Sequence, residues 1–106
     1  MMNAKNLAII GPGVMAEAII AGLIRNQVIP PQQIIAAGPR PERGSELVER
    51  YGVRFTLENA EAASQADIVI LAVKPQKLRA VLAGLRGKIL PHAVVLSIIA
   101  GAPIQT

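Results

Sequence analysis

Leu7-Ala8-Ile9-Ile10-Gly11-Pro12-Gly13-Val14-Met15-Ala16 is the stretch from which the rest of the chain is read. An apolar run ended by Gly11-Pro12-Gly13 is the pattern of a buried strand entering a tight turn. From Val14 to about Asn26 the apolar residues Val14, Met15, Ala18, Ile19, Leu23 and Ile24 recur at three and four, which predicts a helix with these along its apolar stripe. Outward from there, Pro30-Pro31 ends anything helical, and Gln33 to Ala37 reads as a second strand closed by Gly38-Pro39. Pro41 suits a first helical position, and a helix follows to Arg50 or Tyr51 with Gly52 as its stop. Val53-Arg54-Phe55 is a brief third strand, and a short helix opens near Asn59 and runs through Ala62 and Ala63. Ile68 to Val73 is apolar throughout and β-branched, as a central parallel strand should be. Pro75 starts a helix with Leu78, Val81, Leu82 and Leu85 on one side, and Ala93 to Ser97 makes the fifth strand.

Strands alternating with helices at this spacing imply parallel pairing through right-handed crossovers. The expected fold is an α/β Rossmann-type sheet of order 3-2-1-4-5 with helices on both faces and a ligand crevice between strands 1 and 4. A sixth strand is missing, so the chain is expected to be cut short of the full fold.

Composition narrows the function classes. The 106 residues suffice for one domain, 52% are hydrophobic and 17% charged, which excludes disorder. There is no cysteine, so a disulfide framework or a thiolate metal site is excluded, and the lone His92 cannot build a histidine-rich metal centre. Tyr51 and Phe55 are the only aromatics, too few for stacking single-stranded nucleic acid. No apolar run reaches the ~18 residues of a membrane span, and no secretory leader is legible. A protein of the cytoplasm is expected. The net charge of +4 is unevenly placed, since Glu17 is the only acid in the first 41 residues and none occurs from Lys74 onward. The basic residues are scattered, which suits a small anionic ligand better than nucleic acid.

Gly11-x-Gly13-x-x-Ala16 fits the G-x-G-x-x-G/A pattern in its meaningful context, after a strand and opening a helix. Gly11 allows the tight turn, Gly13 lets backbone approach a pyrophosphate, and Ala16 keeps helix and strand close. The helix amino end offers unpaired N–H groups and roughly half a positive charge. At the end of the second strand an NAD-binding domain usually carries an acid for the ribose 2′-hydroxyl. Here Ala37-Gly38-Pro39-Arg40-Pro41-Glu42-Arg43 puts Gly38 in that place and two arginines just beyond it. A 2′-phosphate would be tolerated and Arg40 could pair with it, so NADP is expected over NAD, with NAD possible.

With these residues in hand, the chain resembles the amino-terminal part of pyrroline-5-carboxylate reductase, an enzyme family that reduces a cyclic imine to proline with NAD(P)H. The matching segments are Ile10 to Ala18, Pro41-Glu42-Arg43, Arg50-Tyr51-Gly52-Val53, Asn59-Ala60-Glu61-Ala62, Ala66 to Gln76 and Ser97-Ile98-Ile99-Ala100-Gly101. The most specific is Ala72-Val73-Lys74-Pro75-Gln76 after a buried strand. The resemblance implies that Ile10, Gly11, Pro12, Gly13, Val14 and Met15 hold the pyrophosphate and that Ala37, Pro39 and Arg40 hold the adenosine end. It implies that Asn59 touches the cofactor, and that Ala72, Val73, Lys74 and Pro75 with Ile98, Ile99 and Ala100 line the nicotinamide side. Pro12 stands where the family usually has a small residue, Val14 where it often has Asn, and Ile99 where Ala is commoner. Proline stiffens the turn and removes the N–H of residue 12.

On this resemblance residues 1–106 form the dinucleotide-binding domain. The helical carboxyl-terminal domain, with the imine pocket, the proton-donating hydroxyl and the dimer contacts, lies outside the chain. Such a fragment is expected to bind NADP(H) without turnover, to carry no catalytic residue or metal, and to self-associate. Lys74 reads as a positioning or phosphate-facing group rather than a base, His92 as a solvated loop residue, Asp67 as structural, and Ser97 lacks a histidine partner. Two alternatives stay open: a deazaflavin-dependent or 3-hydroxyacid-type oxidoreductase sharing the same domain, and a non-enzymatic dinucleotide-sensing module.

Overall fold

The computed structural model describes residues 5–11 and 13–98. Strand β1 (Leu7–Ile10) leads through the glycine turn into helix α1 (Val14–Arg25), and a 3-10 turn over Pro31–Gln33 precedes β2 (Ile34–Ala37). Helix α2 (Pro41–Tyr51), β3 (Arg54–Thr56), α3 (Asn59–Ala63), β4 (Ile68–Leu71), α4 (Pro75–Leu85) and β5 (Val94–Ser97) follow. The strands form one sheet of order β3-β2-β1-β4-β5, and every pair is parallel. The expected topology is borne out.

Alternation along each strand divides the core in two. Leu7 and Ile9 of β1, Ile34 and Ala36 of β2 and Ile70 of β4 point to the face covered by Ala16 and Ile20 of α1 and Leu47 of α2. Ala8, Ile10, Ile35, Ala37, Val69 and Leu71 point to the other face, under Ala62 and Ala63 of α3 and Leu85 of α4. With helices on both faces, β1, β2 and all of β4 but its half-buried Ile68 are fully buried, which is why they read as continuous apolar runs. Strands β3 and β5 are the two sheet edges among the described residues; β3 is half-buried at Phe55 and Thr56, whereas β5 is exposed along its whole length. None of the described helices is long and apolar enough to cross a membrane.

Four local expectations are corrected. The buried stripe of α1 centres on Ala16 and Ile20, whereas Val14 is 85% exposed and Met15 39%. Ala16 and Ile20, four apart, share the face turned to the sheet, and at about 100° per residue Met15 and Val14 lie about 100° and 200° away from it. Strand β4 ends at Leu71 rather than Val73: Ala72 still donates its N–H to the Ile10 carbonyl, and the chain then departs extended through Lys74, as a residue before proline must. Strand β3 begins at Arg54, because Val53 is buried in the core before pairing with β2 starts. Pro30 and Pro31 do not abolish helical geometry, since Pro31 opens the 3-10 turn as its first residue. Helix α2 ends as read from the sequence, on Gly52 at φ +79°.

Candidate functional site

In an open parallel sheet the ligand crevice lies beyond the carboxyl ends of the strands, where the order reverses. Here the reversal is between β1 and β4, and the residues singled out in the sequence sit along that edge. Ile10 ends β1, and Gly11 turns away with its N–H donated to the Ala37 carbonyl at 2.9 Å, tying the turn to the end of β2. Its φ of +97° is left-handed, and a Cβ there would stand 2.6 Å from the Ala72 carbonyl oxygen. Gly11 is therefore required by the close approach of β1 and β4.

Gly13 differs. It caps α1 in an extended conformation, donates its N–H to the Gly11 carbonyl at 2.8 Å, and among the described residues has nothing within 4 Å of where a Cβ would be. Among the described residues no side chain caps α1. The amides of Val14 and Met15, which as first-turn residues have no intrahelical acceptor, are left for a ligand or water. The open volume over Gly13 and the uncapped helix end suit a pyrophosphate, and the exposure of Val14 and Met15 leaves that end accessible.

At the neighbouring loop, Ala37 ends β2 and Gly38 is buried, its N–H donated to the Thr56 carbonyl at 3.3 Å. Pro39 and Arg40 are exposed, and Arg40 is the capping residue of α2. Asn59 opens α3, and its Oδ1 is buried with no hydrogen-bond partner among the described residues. An orphaned buried acceptor calls for a donor from outside, such as a ribose hydroxyl or adenine amino group. On the far side of the switch point, Ala72 is buried, Val73 half-buried, and Lys74 and Pro75 exposed where α4 begins. Ile98 follows β5 and donates its N–H to the Leu71 carbonyl at 2.8 Å. Pro12, Ile99 and Ala100 lie outside the described residues.

Arg43, the second arginine beyond Gly38, is mostly covered: its guanidinium meets Glu17 at 2.6 Å, the Gly13 carbonyl at 3.1 Å and Glu46 at 3.0 Å. Arg50 at 2.5 Å and the Tyr51 hydroxyl at 2.7 Å take the other Glu17 oxygen. Hydrogen bonds from Tyr51, Arg43 and Arg50 hold the Glu17 carboxyl down to about 2. Sequence reasoning missed this cluster, although a lone acid in an otherwise acid-free stretch was its signal. His92 is exposed in its loop, as expected, and there pairs through Nε2 with Asp67 at 2.8 Å. Asp67 also accepts from the Asn6 N–H at 2.9 Å, and that bond, then His92, lowers its pKa. This pair stands at the amino ends of β1, β4 and β5, opposite the crevice, and is structural.

Residues 6–101 match the family described as NADP oxidoreductase, coenzyme F420-dependent. The chain belongs to that family. Among its curated relatives, pyrroline-5-carboxylate reductase of Synechocystis sp. is 46% identical over 99 residues, covering 93% of this chain and 37% of the relative. The Pseudomonas aeruginosa enzyme of the same name is 38% identical over 102 residues, covering 96% and 37%. A pyrroline-5-carboxylate reductase structure from Coxiella burnetii superposes with a TM-score of 0.86 at 33% identity, over 93% of this chain and 37% of that one. Prephenate dehydrogenase from A. aeolicus, at a TM-score of 0.79, 21% identity and coverage of 91% and 34%, shares the fold. This member of the family thus spans 37% of the length of the two curated relatives named, both of them oxidoreductases.

Proposed function

We propose that this chain is the dinucleotide-binding part of a cytoplasmic pyrroline-5-carboxylate reductase, holding NADPH for reduction of the cyclic imine to L-proline. The observation that carries the reading is the 46% identity over 99 residues to the Synechocystis enzyme. The uncapped α1 end with open space over Gly13 is the geometry that suits it.

In this reading the Val14 and Met15 amides receive the pyrophosphate, with Ile10, Gly11 and Pro12 shaping the turn and Gly13 clearing the space. Ala37 and Pro39 flank the adenosine, and Arg40 pairs with the 2′-phosphate where Gly38 replaces the usual acid. Asn59 Oδ1 accepts a hydrogen bond from the adenosine half. Ala72, Val73, Lys74 and Pro75, with Ile98, Ile99 and Ala100, line the nicotinamide side and keep water from it. The nicotinamide, when bound, supplies the hydride. This chain's own residues bind and orient, and none is assigned the proton transfer. The 106-residue chain is therefore expected to bind cofactor without turnover.

Fluorescence titration of the chain with NADPH and NADH tests the reading, with Gly13→Val as the control. Tight NADPH binding that is lost in Gly13→Val, at unchanged circular dichroism, is expected. Absence of dinucleotide binding by the wild-type chain would overturn it. Proline formation by the isolated chain would overturn the claim that it only binds. The family description favours a second reading, an NADP reductase using coenzyme F420, a deazaflavin. NADPH-dependent F420 reduction without imine reduction, by the protein carrying this domain, would select that reading.

A further inference from the structure

Glu17 stands in the first turn of the helix whose amino end is left open to an anion. A free carboxylate there would repel a phosphate. The structure spends it elsewhere: both oxygens are taken by donors from α2. Arg43 Nη2 bonds Oε1 at 2.6 Å, while Arg50 Nη1 at 2.5 Å and the Tyr51 hydroxyl at 2.7 Å bond Oε2.

Arg43 does more than neutralise the acid. The same Nη2 donates to the Gly13 carbonyl at 3.1 Å, an oxygen that also accepts the Glu17 N–H at 3.0 Å. Its Nη1 donates to Glu46 at 3.0 Å, within α2. One guanidinium therefore joins the end of the glycine turn to the first turns of α2, which follows directly on Arg40. Both side chains are mostly covered, with 16% of Arg43 and 19% of Glu17 exposed, so the contact is shielded from competing water.

We infer that Glu17 is a positioning residue for the dinucleotide: it holds Arg43 on the Gly13 carbonyl and so fixes the pyrophosphate turn relative to the loop that meets the ribose. The inference rests on the dinucleotide-binding reading above. A ligand that bridges turn and loop meets them already spaced, and the ordering of two long side chains is complete before it arrives. Without the Glu17 carboxylate, Arg43 loses its charged partner beside Gly13, and the ligand must order that contact itself. The pyrophosphate is common to both cofactors, so NADPH and NADH should be affected alike.

The test compares dissociation constants with thermal stability in the 106-residue chain. Glu17→Gln is expected to weaken NADPH and NADH binding by the same factor, roughly three- to tenfold, at a temperature where circular dichroism shows the variant folded. Arg43→Met should do the same, and the double variant should be no worse than either single one. Arg50→Met removes a Glu17 partner that does not touch Gly13; it should lower Tm and leave both constants within twofold. If Glu17→Gln unfolds, Arg43→Lys, which keeps a charge but cannot bridge Gly13 and Glu46 together, should show the same loss of affinity. Unchanged affinity in folded Glu17→Gln or Arg43→Lys overturns the inference. Selectively tighter NADPH in Glu17→Gln also overturns it, since Arg43 would then be a withheld 2′-phosphate ligand. Failure of the wild-type chain to bind any dinucleotide defeats the underlying reading instead.

Discussion

The Cα of Gly11 lies against the carbonyl of Ala72, so near that a Cβ at position 11 would stand 2.6 Å from that oxygen and 2.9 Å from Cγ1 of Val73. The two residues close the switch point between β1 and β4. Gly11→Ala is expected to destabilise the fold by about 2–5 kcal/mol, combining a left-handed backbone penalty with overpacking against backbone. Urea unfolding measures it. A loss below about 0.5 kcal/mol, the level of an indifferent surface change, would show that the strands can part without strain.

Gly44 of α2 makes a second such approach, to the ring of Phe55 on β3. A Cβ there would lie 2.2 Å from Cδ2 and 2.4 Å from Cγ. Since even the base of the ring is too close, a rotation of its far edge does not clear the space. Gly44→Ala should lower stability by about 1–3 kcal/mol. Adding Phe55→Ala should relieve the clash, so the pair should be less destabilised than the sum of the singles. Strict additivity in the double-mutant cycle would count against the contact.

Glu17 gives the fold an acid-sensitive tie. Its carboxyl is lowered from 4.5 to about 2 by Tyr51, Arg43 and Arg50. A depressed carboxyl binds fewer protons folded than unfolded, so its contribution is complete above pH 4.5 and fades as pH falls toward 2. Thermal melts between pH 7 and 2 should show wild type losing Tm faster than Glu17→Gln across that interval. Asp67 is also lowered and contributes an acid slope common to both proteins. Parallel curves would show that the Glu17 cluster is not felt in the stability.

Arg40 is exposed and forms no ion pair among the described residues, unlike Arg43. Arg40→Ala is expected to weaken NADPH binding roughly tenfold, the worth of one charge-assisted hydrogen bond, with little change for NADH. The loss should shrink at high salt. An equal loss for both cofactors would move the 2′-phosphate away from Arg40.

Strand β5 leaves Val94 54%, Val95 40% and Leu96 48% exposed on an edge whose outer N–H and C=O groups have no strand beside them among the described residues. Leu96 also borders an apolar groove of about 570 Å³ that includes Leu7, Ile19, Leu23, Ile68 and Ile70. Such an edge templates pairing with another chain. The 106-residue protein is expected to self-associate, and Val95→Lys to reduce it. A light-scattering mass equal to one chain at high concentration would remove the edge argument.

The sequence by itself determined the order of elements, the direction of pairing and the edge where a ligand would sit. Apolar runs broken by glycine, Pro41 and Pro75 at helix starts and Gly52 at a helix end are local signals, because backbone geometry at those positions depends only on near neighbours. The pairing followed from chirality, which leaves few ways to wind alternating strands and helices. The motif assigned the tight turn to Gly11 and the ligand approach to Gly13; tertiary structure alone decided that the carbonyl of Ala72 stands over Gly11 and forbids a Cβ there. Packing also decided that α1 buries Ala16 and Ile20 instead of Val14 and Met15, since only one face of the helix meets the sheet and its rotation is set by that contact. The Glu17–Arg43 contact spans 26 residues. Long side chains find their partners only when two helices are brought side by side, and no local periodicity carries that distance.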